Sequence, residues 1–184
     1  MTRGDTKTVK AFLLLLVFFA GIMLLFFYTA RKNTTDSVQV IVPSQVKQAS
    51  MLEWDDLRNL NDAERVEVRV NGASVIAEMV RSDAQRQQGL SGREGLAENE
   101  GMLFIFDQQD AYSFWNKDMK FPIDVLWMDH SEVVGVSSLP IYDGQAPAVI
   151  TAPTPVSVVL EVPEGFAQRH NIMVGNIINI YETK

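Results

Sequence analysis

The sequence predicts a mostly β, α+β domain preceded by a single transmembrane helix, and three observations carry that reading. An uncharged apolar run fills residues 11–30. Beyond it, apolar and polar side chains alternate at a period of two, the mark of half-buried strands. Turn-forming residues separate these segments at short intervals, as expected of a compact β-rich fold rather than of long helices.

Residues 11–30 (AFLLLLVFFAGIMLLFFYTA) would make a helix of about 30 Å at about 1.5 Å per residue, the thickness of a bilayer's hydrocarbon core. The competing reading is a cleaved signal peptide, whose apolar stretch normally spans about 7–15 residues before a small-x-small cleavage site. Cleavage after Ala30 would place the bulky Tyr28 where a small residue is preferred, which favours a retained anchor. Arg3, Lys7 and Lys10 precede the run, and Arg31, Lys32 and Lys47 follow it. The basic residues that orient a span are therefore nearly balanced. The short basic tail over residues 1–10 resembles that of a signal anchor, which places the rest of the chain outside the cytoplasm, in a periplasm or the extracellular medium.

Residues 33–184 carry 11 basic and 22 acidic side chains, a formal charge of −11. That balance argues against nucleic acid or an anionic membrane surface as a partner. The expected membrane contact is the helix over 11–30 alone. The chain has no cysteine, which removes disulfides, thiolate nucleophiles and thiolate metal sites together.

Residues 31–63 read as a polar stalk. Within it Ser50-Met-Leu-Glu53 has the capping-box pattern, which predicts a short helix over 51–60. The domain proper is expected over 64–184. Val66, Val68 and Val70 alternate with Glu67 and Arg69, and Asn71-Gly72 follows, the strongest short hairpin signal because both residues tolerate positive φ. Residues 74–80 are then the returning strand. Ser82 and Gln85 open a short helix that Gly89 stops. Further strands are expected over 102–106, 124–128, 132–139, 156–162 and 176–181. Seven short strands and one or two short helices predict a barrel-like β domain, and about 120 residues are enough to bury a core without staples.

Two segments are distinctive. One runs Gln88-Gly-Leu-Ser-Gly-Arg93, Leu96, then Glu100-Gly-Met-Leu-Phe-Ile-Phe106. The other is Phe114-Trp-Asn-Lys117-Asp-Met-Lys-Phe-Pro122-Ile-Asp124-Val-Leu-Trp127. Together they resemble the domain of unknown function 192 family (DUF192), with its pattern GLM-x-R…L…GMLF-x-F…FWMKNT-x-x-PLD. Val159-Leu-Glu161, Gly165, Gly175 and Asn176 fall where that family's C-terminal VLE…G…GD segment lies. The resemblance covers roughly residues 66–181. It implies a small, β-rich, barrel-like domain, often behind a signal sequence or anchor, and no established activity. The chain departs from the pattern at Asn116 for Met, Asp118 for Asn and Met119 for Thr.

The familiar chemical motifs are missing. Gly89, Gly92 and Gly95 are not followed by the Gly-Lys-Ser/Thr of a phosphate loop, so they read as turn and helix-stop glycines. His130 and His170 are the only histidines and have no ligand-spaced partner, EF-hand spacing is absent, and no serine lies in a Gly-x-Ser-x-Gly turn. We expect no metal and no cofactor.

The polar residues that stand out are Arg93, Lys117, Asp118, Asp124 and Glu161, all inside or beside apolar segments. Two readings are open. In one, Arg93 and Lys117 hold a ligand in a pocket while Asp124 and Glu161 accept hydrogen bonds or act as acid and base. In the other, the two carboxylates are hydrogen-bonded braces at strand ends. Trp115 and Phe121, flanking the polar loop 116–120, are the aromatics expected to be partly exposed, where a small molecule or a sugar ring could stack. The functional expectation is a non-catalytic binding or accessory module. The alternatives are a carboxylate-dependent hydrolase or sugar-modifying enzyme using Asp124 or Glu161, and a structural partner of a membrane protein.

Overall fold

β1 (Arg65–Val70) and β2 (Ala73–Val80) form the hairpin that alternation and Asn71-Gly72 predict. Val66, Val68 and Val70 are buried, and both turn residues take positive φ, 47° and 80°, as the two-residue hairpin turn requires. Ser82 caps α2 (Asp83–Gln88) by accepting a hydrogen bond from the Gln85 amide, and Gly89 ends it at a φ of 50°. The computed structural model in which these features are seen describes residues 51–62 and 64–183. The apolar run over 11–30 and most of the stalk lie outside the described residues. Within them no helix is long and apolar enough to cross a membrane.

The remaining strands are β3 (Glu100–Asp110), β4 (Ser113–Trp115), β5 (Ile123–Asp129), β6 (Glu132–Leu139), β7 (Val149–Thr151), β8 (Val156–Pro163) and β9 (Asn179–Glu182), with the short helix α3 (Phe166–Arg169) after β8. Seven of the strands form one sheet in the order β6-β5-β8-β3-β2-β1-β9, and β4 pairs with β7 as a separate ribbon. β2 and β3 run parallel, joined by α2, while β8 is inserted antiparallel between β3 and β5. These three central strands are buried on both faces, which is why their sequences read as continuous apolar runs. One face holds Val68, Leu103, Leu126, Leu160 and Phe166. The other holds Leu90, Phe104, Trp127 and Val159.

Two expectations need correction. The described residues hold nine strands rather than seven, because three-residue strands such as β4 and β7 are too short to establish a period. The main sheet is also open rather than a closed barrel. β9 has four residues and is paired along β1, so it cannot also line β6. Among the described residues the two edges meet through the segment before β9, where Glu132 bridges Ile177, Val133 N donates to the Asn176 carbonyl (2.9 Å) and Ile178 N to that of Ser131 (2.8 Å).

Residues 51–62, read from sequence as the end of the stalk, pack onto this sheet. α1 (Trp54–Leu57) is shorter than expected, and its N-terminus is closed by Glu53 and Asp56 rather than by a box starting at Ser50. Leu52 N donates to the Ile180 carbonyl at 2.7 Å. The Arg81 guanidinium donates to the carbonyls of Arg58 and Leu60. The Asp62 carboxylate accepts from the Arg81 and Ser82 amides. Leu57 is only 2 % exposed. If α1 is part of the core, Leu57→Ala should lower unfolding free energy by about 2–5 kcal/mol, seen as a lower urea midpoint at unchanged slope. A neutral result would make residues 51–62 an appendage.

Candidate functional site

The two carboxylates singled out from sequence lie on opposite faces of the sheet. In the β5–β8 ladder Asp124 pairs with Val162 and Val125 with Glu161, and side chains of paired residues share a face while neighbours along a strand alternate. Asp124 thus faces the core that contains Leu126, Met128 and α3. Glu161 faces the core of Val125, Val159 and Trp127. The sheet separates them, so they do not converge on one substrate.

Their surroundings differ as sharply. Asp124, 4 % exposed, accepts from Ser138 Oγ at 2.9 Å and from the Ala167 backbone N–H at 3.0 Å. One side chain on β5 thereby secures β6 and the start of α3. Glu161, 5 % exposed, has an Oε2 atom sealed from solvent with no hydrogen-bond partner in the protein. Burial pushes its carboxyl up to about 8, opposed only partly by the positive charge of Arg93. At neutral pH the group is mostly the neutral acid.

Glu161 forms part of the wall of a cavity of about 300 Å³. α2 and the turn after it contribute Arg86, Leu90 and Ser91, β3 contributes Phe104 and Phe106, and Met119 closes one side. Tyr112, Ser113, Phe114 and Trp115 come from β4 and the residue before it. The rings hold one another. Tyr112 stacks on Phe106 with centroids 3.6 Å apart, and Phe114 meets Phe104 edge-on at 4.8 Å and Trp127 at 5.4 Å. Trp115 is 47 % exposed and stands at the mouth. The Arg86 guanidinium lies over the Phe106 ring, 4.9 Å from its centroid. It donates to the Ile105 carbonyl (2.9 Å) and to the Asp83 carboxylate (2.5 Å).

Of the other residues picked from sequence, Arg93 pairs with Glu78 at 3.0 Å. Lys117 and Asp118 are exposed, and it is their main chains that matter locally: the Lys117 carbonyl accepts from Ser91 Oγ (2.8 Å) and the Asp118 carbonyl from Gly92 N (3.0 Å). Phe121 is half-buried against the second core. Sequence reasoning missed Asn116, which is buried, donates through Nδ2 to the Pro140 carbonyl (2.9 Å) and accepts at Oδ1 from Ala148 N (2.8 Å). It also missed Arg86 and Tyr112, which carry no motif and reach the cavity only through strand order.

Opposite stability effects follow for the two carboxyls. Asp124→Asn puts an amide NH₂ where one of two donors now binds, and should cost about 1–3 kcal/mol. Glu161 has a folded-state pKa raised from 4.5 to about 8, so its neutral form is at no disadvantage below about 4.5. Stability is then lost as pH rises from there through about 8, at about 1.4 kcal/mol per pH unit. Glu161→Gln should therefore match the wild type near pH 5 and exceed it by several kcal/mol at pH 9, read from urea midpoints at the two pH values. A destabilised Glu161→Gln at pH 9 would mean that the carboxylate has a partner.

The comparisons with known proteins agree with this architecture. No curated protein matches the chain. A crystal structure of a candidate transcription regulator from Sinorhizobium meliloti 1021 is similar at 27 % identity with a TM-score of 0.56, covering 65 % of this chain and 95 % of that one. A protein of unknown function from Novosphingobium aromaticivorans DSM 12444 is similar at 26 % identity and a TM-score of 0.55, over 62 % and 82 % of the two chains. The DUF192 family, described as uncharacterized ACR, matches residues 66–180, a span that contains β2 to β8, nearly all of β1 and every wall of the cavity. The chain belongs to the DUF192 family.

Proposed function

We propose that this chain is a non-catalytic, small-molecule-binding accessory module, tethered by residues 11–30 to the outer face of a membrane. The observation that carries the binding role is the unpartnered Glu161 carboxyl in the wall of a cavity that Phe104, Phe114 and Trp115 also line. A concave, mostly apolar site with a few convergent polar groups is the usual form of a ligand pocket, and a buried polar atom without a partner costs stability unless something binds it. An enzyme working through Asp124 and Glu161 is the weaker reading, because a sheet stands between the two groups. The regulator description of the Sinorhizobium relative does not carry over. With a formal charge of −11 over residues 33–184, the domain has little to offer a phosphate backbone.

Binding is testable with a fragment library followed by the indole resonance of Trp115. Fragments that bind should shift that resonance, and Ser113→Trp, which adds bulk at the mouth, should weaken them at least tenfold. Binding that ignores this variant would place the ligand elsewhere. The tether has its own test. The full-length chain should stay in carbonate-washed membranes, and protease added outside cells or spheroplasts should reach residues 31–50. Release of a fragment starting near residue 31, or full protection from protease, would count against the anchor or its orientation.

A further inference from the structure

Taking the cavity as the binding site, we propose that its ligand is a small organic ammonium ion, held between the Glu161 carboxylate and the ring faces of the cavity wall. The first argument is the pattern of occupied and unoccupied polar groups. Among the described residues, Glu161 Oε2 is the one sealed carboxylate oxygen without a hydrogen-bond partner. The nearby cations are already engaged, Arg86 by Asp83 and the Ile105 carbonyl and Arg93 by Glu78. An anionic ligand would meet a carboxyl group and no available cation. A ligand that brings its own positive N–H or N–CH₃ groups supplies what the site lacks.

The second argument comes from the rings. Phe104, Phe114 and Trp115 line the space beside Phe106, whose own ring is covered by Tyr112 and Arg86, and an aromatic face attracts a cation through its quadrupole, most strongly where water is excluded. The fold already uses that attraction, since the Arg86 guanidinium rests on Phe106. The volume of about 300 Å³ lies at the small end of ligand pockets, about 300–1,000 Å³, so the ammonium ion is a compact one. The acidic surroundings raise the local concentration of cations.

Occupancy by a cation must also move a proton. With nothing but the protein around it, burial lets Glu161 hold its proton up to about pH 8. A bound cation favours the carboxylate, so binding releases that proton. The charged or titratable groups around Glu161 are Arg86 from α2, Arg93 from the turn after it with its partner Glu78 on β2, and Tyr112 before β4. Burial raises the Tyr112 hydroxyl above its ordinary value, which takes it away from the window between pH 6 and 9. β3 and β5 present Met102 and Val125 beside Glu161 in the ladders.

The test is calorimetric titration of the full-length chain in non-ionic detergent, using choline and its uncharged carbon isostere 3,3-dimethylbutanol from pH 6 to 9. Choline should bind at pH 9 at least tenfold more tightly than the isostere and lose about tenfold in affinity per pH unit below about 8. Glu161→Gln should abolish both the preference and the pH dependence. Equal or tighter binding of the isostere, or choline binding that Glu161→Gln leaves unchanged, would overturn the cation assignment while leaving the pocket in place. If neither probe binds but neutral or anionic fragments shift Trp115, the cation assignment alone falls. If nothing shifts Trp115, the pocket falls with it.

Discussion

The register of β8 between β3 and β5 decides what this domain can do. Glu161 stands opposite Met102 on one side and Val125 on the other, and both ladders must agree for its side chain to reach the cavity. Gly101 keeps β3 close enough for this. A Cβ there would come within 2.8 Å of the Glu161 carbonyl and equally close to Val75 Cγ1, so any larger residue would push the central strands apart. A slip of one residue would turn Glu161 to the face occupied by α3 and bring Leu160 into the cavity. The buried runs on both sides make such a slip expensive, because each of these strands is apolar on both faces.

Within this frame the two buried carboxyls show how the same residue type serves two purposes. Asp124 accepts from a hydroxyl and a backbone amide and fastens α3 to the sheet. Removing it leaves donors unpaired. Glu161 has no such donors, and burial keeps it protonated well above the usual carboxylate range. A group of this kind lowers stability at alkaline pH, and ionisable groups shifted by desolvation concentrate at functional sites. Among the described residues the other sealed side-chain atoms without a partner are an amide oxygen of Gln85 and the Ser157 hydroxyl, and Glu161 is the one ionisable group in that position. That asymmetry distinguishes a site from a poorly packed core.

Much of the fold was legible because local and global signals coincide. The β1–β2 hairpin shows alternation and a two-residue turn in one short stretch, and α2 has both its cap and its glycine stop. β3, β5 and β8 announce themselves as apolar runs, and an acidic residue set inside the apolar part of β5 and of β8 is how Asp124 and Glu161 come to notice. What sequence could not supply is pairing. That Asp124 and Glu161 face opposite sides follows only once β5 and β8 are known to be antiparallel neighbours with Val125 opposite Glu161. The cavity wall is likewise assembled from α2, β3, β4 and β8, so no short window contains it. Residues 51–62 read as stalk because the segment is short and mostly polar, although Leu52, Leu57 and Leu60 reach the core.

The departures from the family pattern fall in the loop beside the cavity, and the hydrogen bonding there explains why the loop tolerates them. Asn116 occupies a position where the family pattern has Met, yet it is buried and connects the carbonyl of Pro140 to the amide of Ala148, holding the approach to β7 against the end of β4. Asp118 adopts a positive φ of 58°, a conformation that Asn and Asp accept more readily than other side chains, so the exchange of Asn for Asp preserves the turn. The turn at Ser91 and Gly92 is then secured by the carbonyls of Lys117 and Asp118, which any residue would provide. The lip of the cavity therefore depends on backbone geometry more than on side-chain identity. A lip fixed in this way is ordered before a ligand arrives, which lowers the entropy lost on binding, and it leaves chemical selectivity to Glu161 and the rings below.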